Sequence, residues 1–194
     1  MDAFARAREL IDAAHAADPT RAPDGTPAEL AYANRMESWI ARLVPACNPV
    51  QRLAARCQHL ERWRVPRSAY PQGKPGYFAW RRGLYVKQAE RTRQILREAG
   101  VPDRETETIA AWVAKKDLQT DPGAQALEDA ACLVFLETEL ARFAAQHADY
   151  PREKFVDILR KTWRKMSPRG RDLALGLAFP KAIESLVREA LAEP

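Results

Sequence analysis

The sequence predicts an all-α protein, a single compact bundle of about eight helices that spans residues 1–194. One segment after another repeats apolar residues at the i, i+3, i+4 spacing of a helix packed on a core. No run alternates apolar and polar residues in the manner of a strand. Apolar residues make up 46% of the chain, which is enough to fill a sizeable core. No linker rich in glycine and serine divides the chain, so we expect one domain.

Pairs of a capping residue and a proline mark three of the predicted helix starts. Asn48-Pro49 and Asp121-Pro122 are two of them, and Thr26-Pro27 with Glu29 is typical of a capping box with proline at the first helical position. After Thr26 an apolar stripe predicts a core-facing helix, formed by Tyr32, Met36, Trp39, Ile40 and Leu43. Within residues 122–143, the run Leu133-Val134-Phe135-Leu136 is apolar in every direction around a helix, which predicts a central, buried element.

Several classes of protein are disfavoured by composition. No run of 18 apolar residues occurs, and the N-terminus leads into an amphipathic stretch instead of an apolar signal core. We therefore expect a cytoplasmic protein with no membrane partner. Three cysteines without a CxxC pair (Cys47, Cys57 and Cys132) indicate reduced thiols, with neither a disulfide framework nor a cysteine-rich zinc site.

Residues 62–89, called the basic segment below, contain seven basic residues and no acidic one. They also contain six of the aromatic residues, among prolines and glycines that predict a loop. Guanidinium groups bind phosphate or carboxylate, and aromatic rings stack on flat ligands, which favours an anion site. The alternative is a loop whose aromatic side chains fill gaps between helices while arginine stems cover them. The predicted substrate-binding residues are Arg62, Trp63, Arg67, Tyr70, Lys74, Tyr77, Trp80 and Arg81.

The predicted catalytic residues are His59, Glu128 and Asp129. On a helix that begins at Pro49, His59 lies opposite the apolar stripe, where it is either a proton-handling group or an ordinary surface histidine. Glu128 and Asp129 fall in the buried helix, where carboxylates need cations or hydrogen bonds. They either pair with arginines of the basic segment or take part in a site.

Seven short motifs spread along most of the chain resemble one family. It is the bacterial and fungal family called domain of unknown function 4202, which is associated with no reaction. The motifs are Cys57-Gln58-His59-Leu60-Glu61-Arg62-Trp63, Val65-Pro66-Arg67, Tyr70-Pro71, Gly76-Tyr77, Trp80-Arg81, Leu127-Glu128-Asp129 to Glu137, and Lys161-Thr162-Trp163-Arg164-Lys165-Met166-Ser167.

A more distant similarity is to the HD-type helical phosphohydrolases, in which histidine, His-Asp and a later Asp hold a metal. Tyr32 falls at the first histidine, His59-Leu60 at His-Asp, and Glu128 with Asp129 at the last acid. Glu61 cannot replace the lost Asp, because two residues along a helix turn it about 200° away from His59. The resemblance thus implies an HD-like scaffold with a degenerate metal motif. We expect no tightly bound metal, and the cofactor is unknown.

Two functions of different class follow from these patterns. The first is a small hydrolase- or lyase-like enzyme, in which arginines of the basic segment hold a phosphorylated or carboxylated substrate and His59 handles a proton. The alternative is a non-catalytic protein that binds RNA or a nucleotide through the same segment. The modest net charge of +5 favours a small anionic ligand over a long nucleic acid. The sequence leaves the oligomeric state undetermined.

Overall fold

The computed structural model describes residues 2–118 and 120–191, which form helices joined by loops and turns and contain no β-strand. The all-α prediction is confirmed, with ten α-helices in the described residues instead of about eight. The helices are α1 Ala3–Ala16, α2 Ala28–Leu43, α3 Pro49–Arg56, α4 Gly73–Ala99, α5 Asp103–Val113, α6 Pro122–Val134, α7 Leu140–Gln146, α8 Arg152–Lys165, α9 Pro168–Leu175 and α10 Lys181–Leu191. None of these helices combines the length and the apolar character that crossing a bilayer requires.

Contacts between Cα atoms divide the chain into two compact units, unit 1 (Met1–Leu127) and unit 2 (Glu128–Pro194). The division falls within α6. The expectation of a single domain over residues 1–194 stays a prediction.

In unit 1, α4 packs against α1 and α5, and α3 packs against α2 and α5. The predicted stripe on α2 faces this core, since Met36, Trp39, Ile40 and Leu43 are all buried. Tyr32, one turn before Met36, is only half-buried. This difference places the aromatic ring of Tyr32 at the edge of the core, where it can contact a ligand.

Two of the three predicted helix starts are confirmed. The Asn48 side chain accepts a hydrogen bond from the Gln51 backbone N–H at 3.0 Å, and Asp121 accepts one from Gly123 at 2.7 Å. The capping box at Thr26 is wrong, because Pro27 is the N-cap and α2 begins at Ala28. The Glu29 backbone N–H donates instead to Asp18 Oδ2 at 3.0 Å. The carboxyl group of Glu29 is therefore not used for capping.

The first part of the basic segment, residues 62–72, is a loop that contains two short 3₁₀ turns, Arg62–Arg64 and Arg67–Ala69. From Gly73 onward the segment is the start of α4, so the prediction of a loop is wrong for residues 73–89. Pro75 lies in the first turn of α4, where backbone N–H groups have no acceptor within the helix. The N–H that proline lacks therefore costs no helical hydrogen bond. Gly76 lies against the preceding loop, and a Cβ there would lie 1.9 Å from the carbonyl oxygen of Pro71. The prolines and glycines thus turn the chain into a helix.

Helix α3 ends at Arg56, so the assignment of His59 to the polar face of that helix is wrong. His59 and Glu61 have left-handed backbones in the following turn, with φ of 61° and 52°. A second turn, after α5, repeats this pattern at Lys115 and Asp117, with φ of 60° and 52°. Left-handed backbones at residues other than glycine cost energy and are uncommon. Both turns therefore direct their side chains at an energetic cost.

Arg56, the last residue of α3, is only 1% exposed. Its guanidinium donates to the carboxylate of Asp12, to Asn34 Oδ1 at 3.0 Å and to Glu37 Oε2 at 2.8 Å. The backbone carbonyl of Arg56 accepts a hydrogen bond from His15 Nε2 at 2.7 Å. This buried ion cluster, called the Arg56 cluster below, joins α1, α2 and α3.

Unit 2 contains the end of α6 and all the later helices. A π-helical turn, Phe135–Glu139, connects α6 with α7, and the Thr138 hydroxyl donates to the Val134 carbonyl at 2.8 Å. Leu133 and Val134 are fully buried, as the apolar pattern of residues 122–143 predicts. Helix α8 packs against α10.

Candidate functional site

A pair of stacked rings lies at the edge of the core of unit 1. Tyr32 comes from α2 and His59 from the turn after α3, and their ring centroids are 4.0 Å apart with the planes 15° from parallel. The left-handed backbone of His59 is what places its ring in this turn. The side chain predicted to handle a proton therefore lies against an aromatic ring.

Arg62 connects this pair to the basic segment. Its Nη1 lies 2.8 Å from His59 Nε2. A guanidinium only donates hydrogen bonds, so Nε2 is the acceptor and His59 is neutral, with its proton on Nδ1. The Arg62 guanidinium carbon also lies 4.8 Å from the centre of the Trp80 ring, a cation–π contact.

The surroundings of His59 disfavour its protonation. Burial lowers the pKa of the imidazole well below its ordinary value, and the charges of Arg62, Arg81 and Lys115 lower the pKa further. Burial and the charge of Arg81 also lower the pKa of Arg62. The structure therefore gathers three cations around a neutral histidine.

Glu29 is the carboxylic acid of this cluster. Burial raises the pKa of Glu29 from 4.5 to about 8, although the charge of Arg62 opposes the change. Among the described residues its Oε2 atom has no hydrogen-bond partner. At neutral pH Glu29 is therefore mostly protonated. It contributes little negative charge to balance the three cations.

Helix α4 places three of the residues predicted to bind substrate near His59 and Arg62. Tyr77 lies close enough to Arg62 to influence its pKa, and its ring centroid is 5.9 Å from that of Trp80. Arg81 donates to the hydroxyl of Tyr85 at 2.6 Å. The structure thus brings together His59, Arg62, Tyr77, Trp80 and Arg81, which with Glu29, Tyr32 and Lys115 are called the His59 cluster below.

Four other residues predicted to bind substrate have different surroundings. Arg67 donates to the carbonyl oxygens of Tyr70 and Gly73, at 3.0 and 3.3 Å, and so holds the loop before α4. Lys74 is exposed. The indole N–H of Trp63 is buried, and no described residue accepts a hydrogen bond from it. The binding roles of Trp63, Arg67, Tyr70 and Lys74 stay predictions.

Glu128 and Asp129 lie in unit 2. Asp129 Oδ1 accepts a hydrogen bond from the Ser167 backbone N–H at 2.8 Å, and its other oxygen accepts from the Ser167 hydroxyl. A Cβ at Gly170 would lie 2.7 Å from Asp129 Cγ, so the carboxylate fills the space beside that glycine. Glu128 Oε1 lies 3.7 Å from Lys165 Nζ. The catalytic roles of both acids stay predictions.

Three members of the His59 cluster are not among the predicted site residues: Glu29, Tyr32 and Lys115. The sequence pattern places Tyr32 in the core-facing stripe of α2. Glu29 was assigned to the capping box, so its carboxyl group was not considered for a site. Lys115 lies in a turn that carries no sequence signal for a left-handed backbone. The signal for Glu29 was its position one turn before Tyr32 on the same face of α2.

A metal centre requires several ligands that converge. Within residues 2–118 and 120–191, no group of three His, Cys, Asp or Glu side chains is arranged to hold a metal ion. The expectation that no metal is tightly bound stays a prediction, since it concerns the protein in solution.

Comparisons with known proteins give one match. No curated protein matches the chain, and neither does any solved structure. The similarity to HD-type phosphohydrolases stays a prediction. The family described as Domain of unknown function (DUF4202) matches residues 5–187, which is nearly the whole sequence and includes every member of the His59 cluster. The chain therefore belongs to the DUF4202 family.

Proposed function

We propose that the His59 cluster is the active site of a small hydrolase- or lyase-like enzyme that acts on a small phosphorylated or carboxylated anion. The observation that supports this most is the neutral His59 imidazole, which accepts a hydrogen bond from Arg62 among three cations. An anion would be attracted by those cations, and the histidine would act on it as a base.

The charges favour an anionic ligand. The charges of Arg62, Arg81 and Lys115 each lower the pKa of His59, and the charge of Arg81 also lowers the pKa of Arg62. Like charges at close range repel, and a bound phosphate or carboxylate relieves that repulsion. Arg62 uses one of its five N–H donors on His59, and a guanidinium can hold an oxyanion through two parallel hydrogen bonds.

The two acid–base groups have opposite pKa changes, which is the arrangement that general acid–base catalysis uses. His59 is neutral and can accept a proton, whereas Glu29 is mostly protonated and can donate one. Once an anion takes over the N–H of Arg62, Nε2 is available as a base. In a hydrolysis, Nε2 takes a proton from water and the water oxygen bonds to phosphorus or to an ester carbonyl carbon. The bond from that atom to the leaving oxygen breaks, and Glu29 protonates the leaving oxygen.

The backbone supports the same proposal. The described residues other than glycine with positive φ are His59, Glu61, Lys115 and Asp117. Two of these four belong to the His59 cluster, and they come from turns far apart in the sequence. Backbone strain of this kind is concentrated at functional sites.

A ligand screen tests the proposal. We expect at least one phosphorylated or carboxylated metabolite to raise the melting temperature, since a ligand of the folded state stabilises it. Arg62→Ala should weaken its binding about 10- to 100-fold, as expected for loss of a charged hydrogen-bond donor. Arg82→Ala is the matched control, because Arg82 is exposed on the same basic segment. Equal losses in both variants would contradict the proposal.

Turnover of the ligand found in the screen tests the catalytic part. His59→Gln removes the base, and Glu29→Gln removes the acidic proton but keeps the shape of the side chain. Each should lower kcat by about 100-fold or more. Unchanged turnover in both variants, or binding without any turnover in the wild type, would contradict an enzyme.

One observation favours the second function, the binding of RNA or a nucleotide. Tyr77 and Phe78 are 42% and 56% exposed at the start of α4, with ring centroids 5.7 Å apart. Exposed aromatic rings beside basic residues can stack on bases. We would then expect Phe78→Ala to weaken binding to single-stranded RNA, and binding to fall steeply between about 50 and about 200 mM salt.

The proposal includes a cytoplasmic location. The free thiols of Cys47, Cys57 and Cys132 support it, because disulfides are rare in reducing compartments. Loss of activity on mild reduction would contradict this location.

A further inference from the structure

A cleft in unit 1 is lined in part by Leu60 and Glu61, from the turn after α3. Its volume is about 210 Å³, below the lower end of about 300 Å³ for pockets that hold drug-sized ligands. It is lined by Leu60, Glu61, Arg64, Val65, Leu84, Lys87, Gln88 and Arg91. No member of the His59 cluster lines it, so what it binds lies beyond the proposed function.

The rim of this cleft is positively charged. Three cations, Arg64, Lys87 and Arg91, line the cleft together with one carboxylate, that of Glu61. The ion pairs of Glu61 are long, at 3.6 Å to Arg64 Nε and 3.4 Å to Arg91 Nε. Ion pairs of this length between partly exposed groups are weak. An anionic group at the rim would therefore find cations that Glu61 engages only loosely.

The inner wall of the cleft contains a buried amide. Gln88 is 5% exposed, and its Nε2 atom has no hydrogen-bond partner among the described residues. A buried donor without an acceptor costs about 1 to 3 kcal/mol. A ligand oxygen that accepts this N–H would remove the cost, and carbonyl oxygens are suitable acceptors.

The rest of the wall is apolar. Leu60 and Leu84 are 2% and 3% exposed, and Val65 lies beside them on the cleft. These side chains suit a short run of CH₂ groups, each of which gains about 0.8 kcal/mol on burial.

We propose that this cleft binds a short-chain carboxylic acid that carries a carbonyl oxygen. Its carboxylate lies at the rim formed by Arg64, Lys87 and Arg91, its carbon chain lies on Leu60 and Leu84, and its carbonyl accepts the amide N–H of Gln88. The cleft thereby recognises charge at one end and a neutral acceptor at the other.

Titration calorimetry with two probes tests this assignment on the full chain. The first probe is 4-oxopentanoate, and the second is pentanoate, which lacks the carbonyl oxygen. We expect the wild type to bind 4-oxopentanoate about tenfold more tightly than pentanoate. Gln88→Leu should bind both probes equally, because it removes the amide and keeps an apolar side chain. Arg91→Ala should lower the affinity for both probes by a similar factor.

Two controls keep the result specific. Arg82→Ala changes an exposed cation on the same helix, and His59→Gln changes the other site; both should leave the affinity for 4-oxopentanoate unchanged. The assignment is overturned if the wild type binds the two probes equally, or if inorganic phosphate competes as well as 4-oxopentanoate. No binding of 4-oxopentanoate to the wild type at about 10 mM also overturns it. The comparison of probes in the wild type holds even if Gln88→Leu does not fold.

Discussion

Glu29→Gln should stabilise the protein at alkaline pH and leave it nearly unchanged in acid. The carboxyl group is buried with its Oε2 atom lacking a hydrogen-bond partner among the described residues, and its pKa is raised to about 8. In the unfolded chain the same group ionises near 4.5. Glutamine has the shape of the protonated acid and never ionises, so it avoids the cost of a buried negative charge.

The sign and size of the effect follow from proton linkage. Between pH 4.5 and about 8 the unfolded state has lost the proton that the folded state keeps, so the free energy of unfolding falls as pH rises. The gap between these two pKa values, at 1.36 kcal/mol for each pH unit, sets an upper limit of about 5 kcal/mol. Water screens part of this cost at a half-buried residue, so we expect about 2 to 4 kcal/mol.

Urea unfolding of the wild type and the variant at about pH 5, 7 and 9 measures this difference. The variant should gain less than about 1 kcal/mol at pH 5 and the full amount at pH 9. Glu98→Gln is the control, since Glu98 is exposed on α4. A Glu29→Gln difference that is equal at pH 5 and pH 9 would refute the reasoning.

Three further predictions follow from the structure. In nitrogen NMR the His59 imidazole should stay neutral as pH falls past its ordinary pKa of about 6.5, because burial and the nearby cations lower its pKa, and a bound anion should raise that pKa. Gly76→Ala should lower the free energy of unfolding by about 3 kcal/mol in urea titrations, because its Cβ would lie 1.9 Å from the Pro71 carbonyl oxygen. Gly170→Ala should cost about 1 to 3 kcal/mol by the same measurement, because its Cβ would lie 2.7 Å from Asp129 Cγ.

Each of these predictions has a control and an outcome that contradicts it. Gly83→Ala on the same helix meets only the Tyr70 hydroxyl, at 3.2 Å, and should change stability by less than about 1 kcal/mol. Gly176→Ala meets an ordinary contact at 3.5 Å and serves as the control for Gly170. Losses no larger than in these controls would show that the neighbours move aside. For His59, protonation of the free protein near pH 6.5 would contradict the burial argument.

Much of the helical architecture could be predicted from local patterns. Asn48 and Asp121 cap their helices by accepting hydrogen bonds from backbone N–H groups no more than three residues further along the chain. A sequence pattern shows partners this close. The start of α2 was mispredicted, because the backbone N–H of Glu29 in its first turn donates to Asp18, which lies 11 residues upstream. Local patterns do not show a partner that tertiary structure brings to the helix end.

The candidate site was predictable only in part. The excess of positive charge in the basic segment indicated Arg62 and Arg81, and the structure places both near His59. The left-handed backbone of His59 could not be predicted, since its sequence neighbours suit a continued helix. Glu29 and Lys115 join from other segments of the chain, and a single sequence contains no pattern that pairs them with His59.

The Arg56 cluster has a consequence for how the chain can be shortened and made. Asp12 and His15 both lie on α1, and the bonds between Asp12 and Arg56 span 44 residues. A chain shortened to begin after α1 would lack Asp12, one of the two acidic partners of the Arg56 guanidinium. Removing one partner of a buried ion pair is strongly destabilising. Helix α1 is therefore no dispensable extension. During synthesis α1 leaves the ribosome before α3 and must wait for α3 before its polar contacts with Arg56 can form.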